Sequence, residues 1–156
     1  MRSRTAIWFE CKIRYEKVNE EGIQKKVTEQ YAVDALSFSE AEARIIEEMA
    51  QYISGEFTVE DVKKAPYGEV FFSDDATADR FYRVKLDFLT IDEKTEKEKR
   101  SRVTYLVQAN NLNGAMNAIT AAMDTTMIDY DAAAITETKL MDVFEYRKPA
   151  QPECEG

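Results

Sequence analysis

Two groups of aromatic and basic residues lie 73 positions apart in this sequence of 156 residues. Trp8 and Lys12 belong to the first group, and Phe81 and Lys85 stand at the same spacing in the second. Aromatic rings on a sheet can stack on unpaired bases while neighbouring cations neutralise the phosphates. The pattern predicts a face that binds single-stranded nucleic acid. The residues predicted to form it are Trp8, Lys12, Arg14, Lys26, Phe81, Arg83, Lys85 and Arg102.

The same residues also fit alternatives to nucleic-acid binding. Lys, Arg and Thr are ordinary on exposed strands, where they favour solubility and extended backbone. The two rings are also compatible with burial at an edge, with a homodimer contact or with contact to another protein. A small anionic ligand such as a nucleotide is a further alternative. The net charge of −9 disfavours non-specific binding to duplex DNA or to anionic membranes.

Residues suited to catalysis are scarce. The chain contains no histidine and only two cysteines, Cys11 and Cys154, which removes the commonest general base and disfavours a zinc site. It also lacks a glycine-rich phosphate loop. Glu69 and Asp142 are acids at matched positions, but each precedes a Val-Phe pair and is typical of a strand edge or turn. We predict no enzymatic activity, no metal and no cofactor.

The elements that carry these residues repeat along the chain. "IWFECKIRY" (7–15) aligns with "RFYRVKLDF" (80–88), and both alternate apolar and polar residues as half-buried strands do. A second strand, a helix and further extended residues follow in each copy. The repeat extends to "EVFF" (69–72) and "DVFE" (142–145). We therefore predict an internal duplication.

Each copy contains one predicted helix with a polar residue as its cap and one apolar stripe. The candidate caps are Ser37 with Glu40, or Ser39 with Glu42, in the first copy and Asn111 or Asn113 in the second. The stripes at helical spacing are Ala41, Ile45, Met49, Tyr52 and Ile53, and then Ala115, Ile119, Ala122, Met123 and Met127.

The fold class that follows is α+β. Each copy is a β-β-α-β unit, over residues 7–72 and 80–146, and the two units form antiparallel sheets with two helices on one face. We expect one compact pseudo-symmetric domain followed by a disordered tail at 147–156. The sheet face opposite the helices then carries the predicted nucleic-acid interface. The packing of the two copies and the oligomeric state, including a possible homodimer, stay open.

Nothing in the sequence directs the chain to a membrane. Its apolar runs are only a few residues long, too short to span a bilayer. The N-terminal "MRSRTAIWFE" lacks the apolar stretch of a signal peptide. We expect a cytoplasmic protein without membrane contact.

The chain resembles an uncharacterised family known as domain of unknown function 4494. The resemblance covers 7–146 and is carried by "WFECKIRYEK", "QKKVTEQYAVDALSFSEAEARIIEEM", "ISGEFTVEDVKKA" and "TETKLMDVFEY". It implies a small cytoplasmic accessory protein of gut Bacteroidetes, their phages or their mobile elements, and it transfers no catalytic residues. In that setting we predict a non-enzymatic module that binds single-stranded nucleic acid. The alternative is a module that docks on or inhibits a host or phage protein, or that sequesters a small nucleotide.

Overall fold

The structure is a computed structural model that describes residues 1–146, and the predicted disordered tail lies outside them. The described part of the chain contains two helices and nine strands. The helices are α1 (Phe38–Ala50) and α2 (Leu112–Met123). The strands are β1 (Arg2–Thr5), β2 (Trp8–Val18), β3 (Gln24–Asp34), β4 (Phe57–Lys64), β5 (Glu69–Phe72), β6 (Arg80–Ile91), β7 (Glu98–Ala109), β8 (Asp129–Glu137) and β9 (Leu140–Phe144).

The strands form two sheets, which confirms the α+β class. One sheet has four strands in the order β4-β2-β3-β9, and the other has five in the order β1-β5-β7-β6-β8. The prediction of purely antiparallel sheets is wrong, because β5 pairs with β7 in parallel. The chain forms two compact units: residues 8–64 with the segment that begins at 143, and residues 1–7 with 65–142.

The last strand of each repeat lies in the sheet of the other repeat. In the five-stranded sheet, β5 of the first repeat pairs with β7 of the second, with Val70 opposite Leu106. In the four-stranded sheet, β9 of the second repeat lies beside β3 of the first. Each predicted β-β-α-β unit is thus a β-β-α-β-β unit whose last strand is exchanged. The spatial units therefore differ from the predicted repeats, 7–72 and 80–146, by these two exchanged strands.

The two sheets agree in further details. Their strand orders match once β2, β3, β4 and β9 are equated with β6, β7, β8 and β5. The pairing of β2 with β4 shifts register between Lys12 and Ile13, and the pairing of β6 with β8 shifts between Lys85 and Leu86, 73 residues later. A β-bulge thus falls at the same place in both sheets. The ancestral duplication itself stays a prediction.

The predicted helix caps are confirmed at Ser37 and Asn111. Ser37 Oγ accepts a hydrogen bond from the backbone N–H of Glu40 at 3.1 Å. Asn111 Oδ1 accepts one from the backbone N–H of Gly114 at 2.8 Å. Each bond satisfies an amide that the first helical turn leaves without an intrahelical acceptor. The side chain of each cap therefore fixes where its helix begins.

The apolar stripe of each helix is buried against its own sheet. α1 buries Ala41, Ile45 and Met49 beneath a cluster from β2 and β3, and α2 does the same with Ala115, Ile119 and Met123 over β6 and β7. The stripe prediction is wrong for Tyr52 and Met127, which are exposed because the helices end at Ala50 and Met123. Neither helix of the described residues is long and apolar enough to cross a membrane.

Candidate interaction surface

The two predicted stacking rings are buried. Trp8 is 1% exposed and Phe81 is 2% exposed. Strand alternation puts both on the sheet face opposite the helix, as predicted, since Phe9 and Tyr82 belong to the clusters beneath the helices. Neither ring can stack on a base in this structure, because solvent does not reach it. Alternation specifies the face of a strand but not whether that face is covered.

The predicted arginine of β7 is held by a carboxylate. Arg102 donates from Nε to Asp87 Oδ1 at 2.8 Å and from Nη2 to Asp87 Oδ2 at 3.2 Å. Arg100 lies 3.8 Å from the same carboxylate and 3.5 Å from that of Asp131. The hydrogen bond from Arg102 is the main reason that the pKa of Asp87 is lowered. Arg102 is therefore already engaged by Asp87 within the fold, whereas the contacts of Arg100 are longer and exposed.

The other two predicted arginines also have partners. Arg14 Nη1 lies 3.9 Å from Glu60 Oε1, an exposed and hence weak ion pair. Arg83 Nη2 donates to the hydroxyl of Tyr67 at 3.2 Å, and its guanidinium lies 5.6 Å from the centre of that ring. Arg83 is thus engaged by Tyr67, whereas Arg14 is exposed and only weakly paired.

The three predicted lysines differ in exposure. Lys12 and Lys85 are half-buried, and Lys26 is exposed at the distal part of the β2–β3 hairpin. The first unit thus contains Trp8, Lys12, Arg14 and Lys26, and the second contains Phe81, Arg83, Lys85 and Arg102. Of these basic residues, Arg14 lies beside Glu60 and Arg102 beside Asp87, and the aromatic ring of each unit is inaccessible. The predicted nucleic-acid face is not assembled as a stacking platform.

A different surface stands out on α2, which contains no charged residue. Its outward side chains include Leu112, which is 52% exposed, and Met116, which is 39% exposed. We call the exposed face of this helix the α2 surface. It consists of Leu112, Asn113, Met116, Asn117, Thr120 and Ala121.

The equivalent face of α1 is different in charge. It exposes Phe38 and Ile46, but Glu42 and Glu47 lie among them. α1 carries five charged residues in all, which are Glu40, Glu42, Arg44, Glu47 and Glu48. Charged side chains on an outward helix face keep it solvated. The α2 surface lacks that feature, although it occupies the same place in its own unit.

The loop after α2 extends the exposed apolar residues. Met127 is fully exposed and Ile128 is 49% exposed. Thr126 orders this loop, since its backbone N–H donates to the carbonyl of Met123 at 2.9 Å and its Oγ1 accepts from the N–H of Ile128 at 3.2 Å. A cleft of about 590 Å³ lies here and is lined by Leu89, Met123, Asp124, Thr126, Met127, Ile128, Asp129, Tyr130 and Asp131.

The described residues offer little for catalysis. No group of three or more Cys, Asp or Glu side chains among residues 1–146 is placed to hold a metal ion. The thiol of Cys11 is buried, and burial, followed by the charges of Asp61, Glu10 and Glu42, raises its pKa to about 12. A thiol that stays protonated is a poor nucleophile. The absence of enzymatic activity stays a prediction.

The α2 surface was missed by reasoning from aromatic and basic residues. Its signal in the sequence is an absence of charge, since "LNGAMNAITAAM" (112–123) has no Asp, Glu, Lys or Arg. The aligned "FSEAEARIIEEM" (38–49) has five. The contrast between the two copies, rather than either copy alone, carries the information.

Comparison with known proteins gives one match. The model of the family described as domain of unknown function (DUF4494) matches residues 7–146. No curated protein and no solved structure matches the chain. The match agrees in range with the resemblance carried by the sequence motifs.

Proposed function

We propose that this chain, which belongs to the DUF4494 family, is a non-enzymatic protein-interaction module that docks on a partner through the α2 surface. The observation that carries the proposal is the uncharged outward face of α2, with Leu112 and Met116 exposed. In the cytoplasmic phage or mobile-element setting that the family resemblance implies, the partner is a host or phage protein.

The α2 surface shares two features with interface cores, which are the absence of charge and an exposed Met. Such cores are depleted in charged residues and enriched in apolar residues, including Met. Methionine is flexible and polarizable, so Met116 and the fully exposed Met127 can adapt to an apolar partner. The six residues of the helix span about 15 Å along its axis. The surface is thus uncharged along its length, with Leu112 and Met116 exposed among Asn and Thr, on a chain in which 33% of residues are charged.

The surroundings of the predicted stacking rings and of Arg102 weaken the nucleic-acid alternative. A phosphate would have to displace Asp87 from the bidentate contact with Arg102, and both predicted stacking rings are inaccessible. The net charge of −9 adds a long-range repulsion for any polyanion. We therefore favour a protein partner over a single strand.

The test is site-specific photo-crosslinking in cells that carry the natural partner. A photoreactive amino acid is placed at position 116 and, as the matched control, at position 42, its equivalent on α1. We expect one discrete protein adduct from position 116 and none from position 42. Equal adducts at both positions, or no adduct at position 116, would contradict the proposal.

The partner identified in this way is then purified and its affinity measured directly. Met116→Glu copies the charge of Glu42 onto α2 and should weaken binding by about tenfold or more, which is about 1.4 kcal/mol. Glu42→Gln is the control and should leave the affinity unchanged. A parallel titration with a labelled single strand of about twenty nucleotides should give no binding near physiological salt. Salt-sensitive binding of the strand would favour the nucleic-acid alternative.

A further inference from the structure

We propose a second docking site that adds to the proposed function: the free edge of β8 accepts an extended, basic peptide segment as an additional strand. It concerns a different part of the molecule from the α2 surface. Its test therefore does not depend on whether α2 docks on a partner.

β8 is a long strand with one open side. It lies at the end of the five-stranded sheet and pairs only with β6 within the described residues, from Tyr82 opposite Glu137 to Leu89 opposite Asp129. Its 9 residues exceed the usual strand length of about 5–6. Along a strand, alternate backbone N–H and C=O groups point to opposite sides. Half of those of β8 therefore point away from β6, where an added strand can pair with them.

The centre of β8 lacks the charged side chains and Pro that usually protect an edge strand, although it carries a bulge at Ala133. Natural edges are blunted by charged side chains, especially Lys, by Pro or by bulges. β8 contains no Lys, Arg or Pro, and its exposed centre is Ala132, Ala133 and Ala134. The equivalent edge strand β4 has the same bulge but carries Glu60 and Asp61 at that place, followed by Lys63 and Lys64. Both edges have the bulge, so they differ in the charged residues that β4 carries there and β8 does not.

The charges of β8 select the occupant. Its charged residues are Asp129, Asp131 and Glu137, all acidic, at the two ends of the alanine segment. Arg80 and Arg100 lie 3.6 Å from Glu137 and 3.5 Å from Asp131, but these pairs are exposed and hence weak. Lysines on an added strand can share those carboxylates. A second copy of β8 paired antiparallel about Ala133 would instead bring Asp129 opposite Glu137.

The side chains around the alanines define the centre of the ligand. Tyr130 and Ile135 are half-buried and pack against the cluster beneath α2. The alanines between them are small and exposed, so they do not obstruct larger apolar side chains on an added strand. The ligand is therefore an extended segment with β-branched apolar residues at its centre and lysines or arginines at its ends, which is a sequence of high strand propensity.

The test titrates the full chain with two synthetic peptides followed by amide NMR. The probe is a nine-residue peptide, matched to β8, with three central valines flanked by threonines and lysines. The control peptide has glutamates in place of the lysines. With the probe, we expect shift changes centred on 129–137 and amide exchange at the open edge of β8 slowed about tenfold or more. The control peptide should bind at least about tenfold more weakly.

Two variants locate the site. Ala133→Lys installs an edge lysine, and should weaken probe binding about tenfold while the spectrum stays that of a folded protein. Glu60→Lys puts the same residue at the equivalent place in β4 and should leave probe binding unchanged. Met116→Glu should also leave it unchanged, which separates this site from the α2 surface.

Three outcomes would overturn the inference. One is the absence of chemical-shift changes in β8 at about 1 mM probe, since a dissociation constant above that concentration is too weak for a docking site. Another is equal binding of the two peptides, which would show that the site does not select a basic segment. The last is a homodimer in sedimentation that Ala133→Lys dissociates, since the occupant would then be a second copy.

Discussion

Ala133 in β8 occupies the position that Glu60 occupies in β4. The register of β2 with β4 passes from Asp61 to Val59 and leaves out Glu60. The register of β6 with β8 passes from Ala134 to Ala132 and leaves out Ala133. The two residues are thus equivalent bulge residues, one charged and one not. The same contrast separates α1 from α2, so the two units share an architecture but present different chemistry.

The helix stripes carry much of the stability of each unit. Met49 and Met123 are buried at equivalent positions, 2% and 7% exposed. Met49→Ala or Met123→Ala should each lower the free energy of unfolding by about 2–5 kcal/mol, because the change leaves a cavity in a packed cluster. Denaturant unfolding measures this loss. Met127→Ala, at a fully exposed position, is the control and should have little effect; equal losses at positions 123 and 127 would contradict the burial of the stripe.

Trp8 should contribute to stability rather than to ligand binding. Its side chain is 1% exposed, so Trp8→Ala should cost about 3–5 kcal/mol in unfolding free energy. Iodide should quench its fluorescence only weakly in the folded protein, and the chain has no other tryptophan to obscure the signal. Ile91→Ala, at a position 73% exposed, is the control for the stability measurement. Efficient quenching in the native state would mean that the ring is accessible.

The Cys11 thiol should be unreactive in the folded protein. Its pKa is raised to about 12, mainly by burial, from an ordinary value of 9.0. A Cys154→Ser variant should therefore react with a disulfide reagent at about pH 8 only as fast as it unfolds. Because the folded pKa is the higher one, this group favours the folded state below pH 9.0 and that contribution is lost as the pH rises toward about 12. An immediate reaction without denaturant would contradict the burial of Cys11.

The pKa of the Asp87 carboxyl should depend on its contact with Arg102. Its pKa is lowered, first by the hydrogen bond from Arg102, so the ion pair stabilises the fold above the ordinary value of 3.8 and loses that effect as the pH falls. Arg102→Gln should raise the pKa of Asp87, as measured by carboxyl NMR during a pH titration. Arg80→Gln, which removes a partner of Glu137 instead, should leave Asp87 unchanged. No response to Arg102→Gln would mean that the bidentate contact is absent in solution.

Local features of the fold could be predicted from the sequence because the interactions that fix them are local. The caps Ser37 and Asn111 bond to amides three residues away, and the stripe of Ala41, Ile45 and Met49 depends only on helical spacing. The same reasoning wrongly added Tyr52 and Met127 to the stripes. The helical spacing of apolar residues continues in the sequence beyond Ala50 and Met123, where the helices end.

The partner of a short strand could not be predicted in this way. "EVFF" (69–72) is an apolar strand that fits an open position in either sheet, and nothing within it specifies β7 rather than β3. The burial of Trp8 and Phe81 is equally non-local. Of the candidate site, the side of the sheet was predictable and its accessibility was not. The α2 surface was visible only as a difference between the two copies.

Because β9 lies beside β3, the four-stranded sheet can be completed only after the end of the second half of the chain has been synthesised. During synthesis the strands β2, β3 and β4 and the helix α1 emerge well before β9, and the outer edge of β3 stays open until β9 has been made. Phe144, which stacks on Tyr31 at 5.6 Å between ring centres, is among the last described residues to arrive. The nascent first half therefore leaves the ribosome with an exposed edge. A ribosome stalled before 140 would display an incomplete sheet that is prone to pair with the wrong strand.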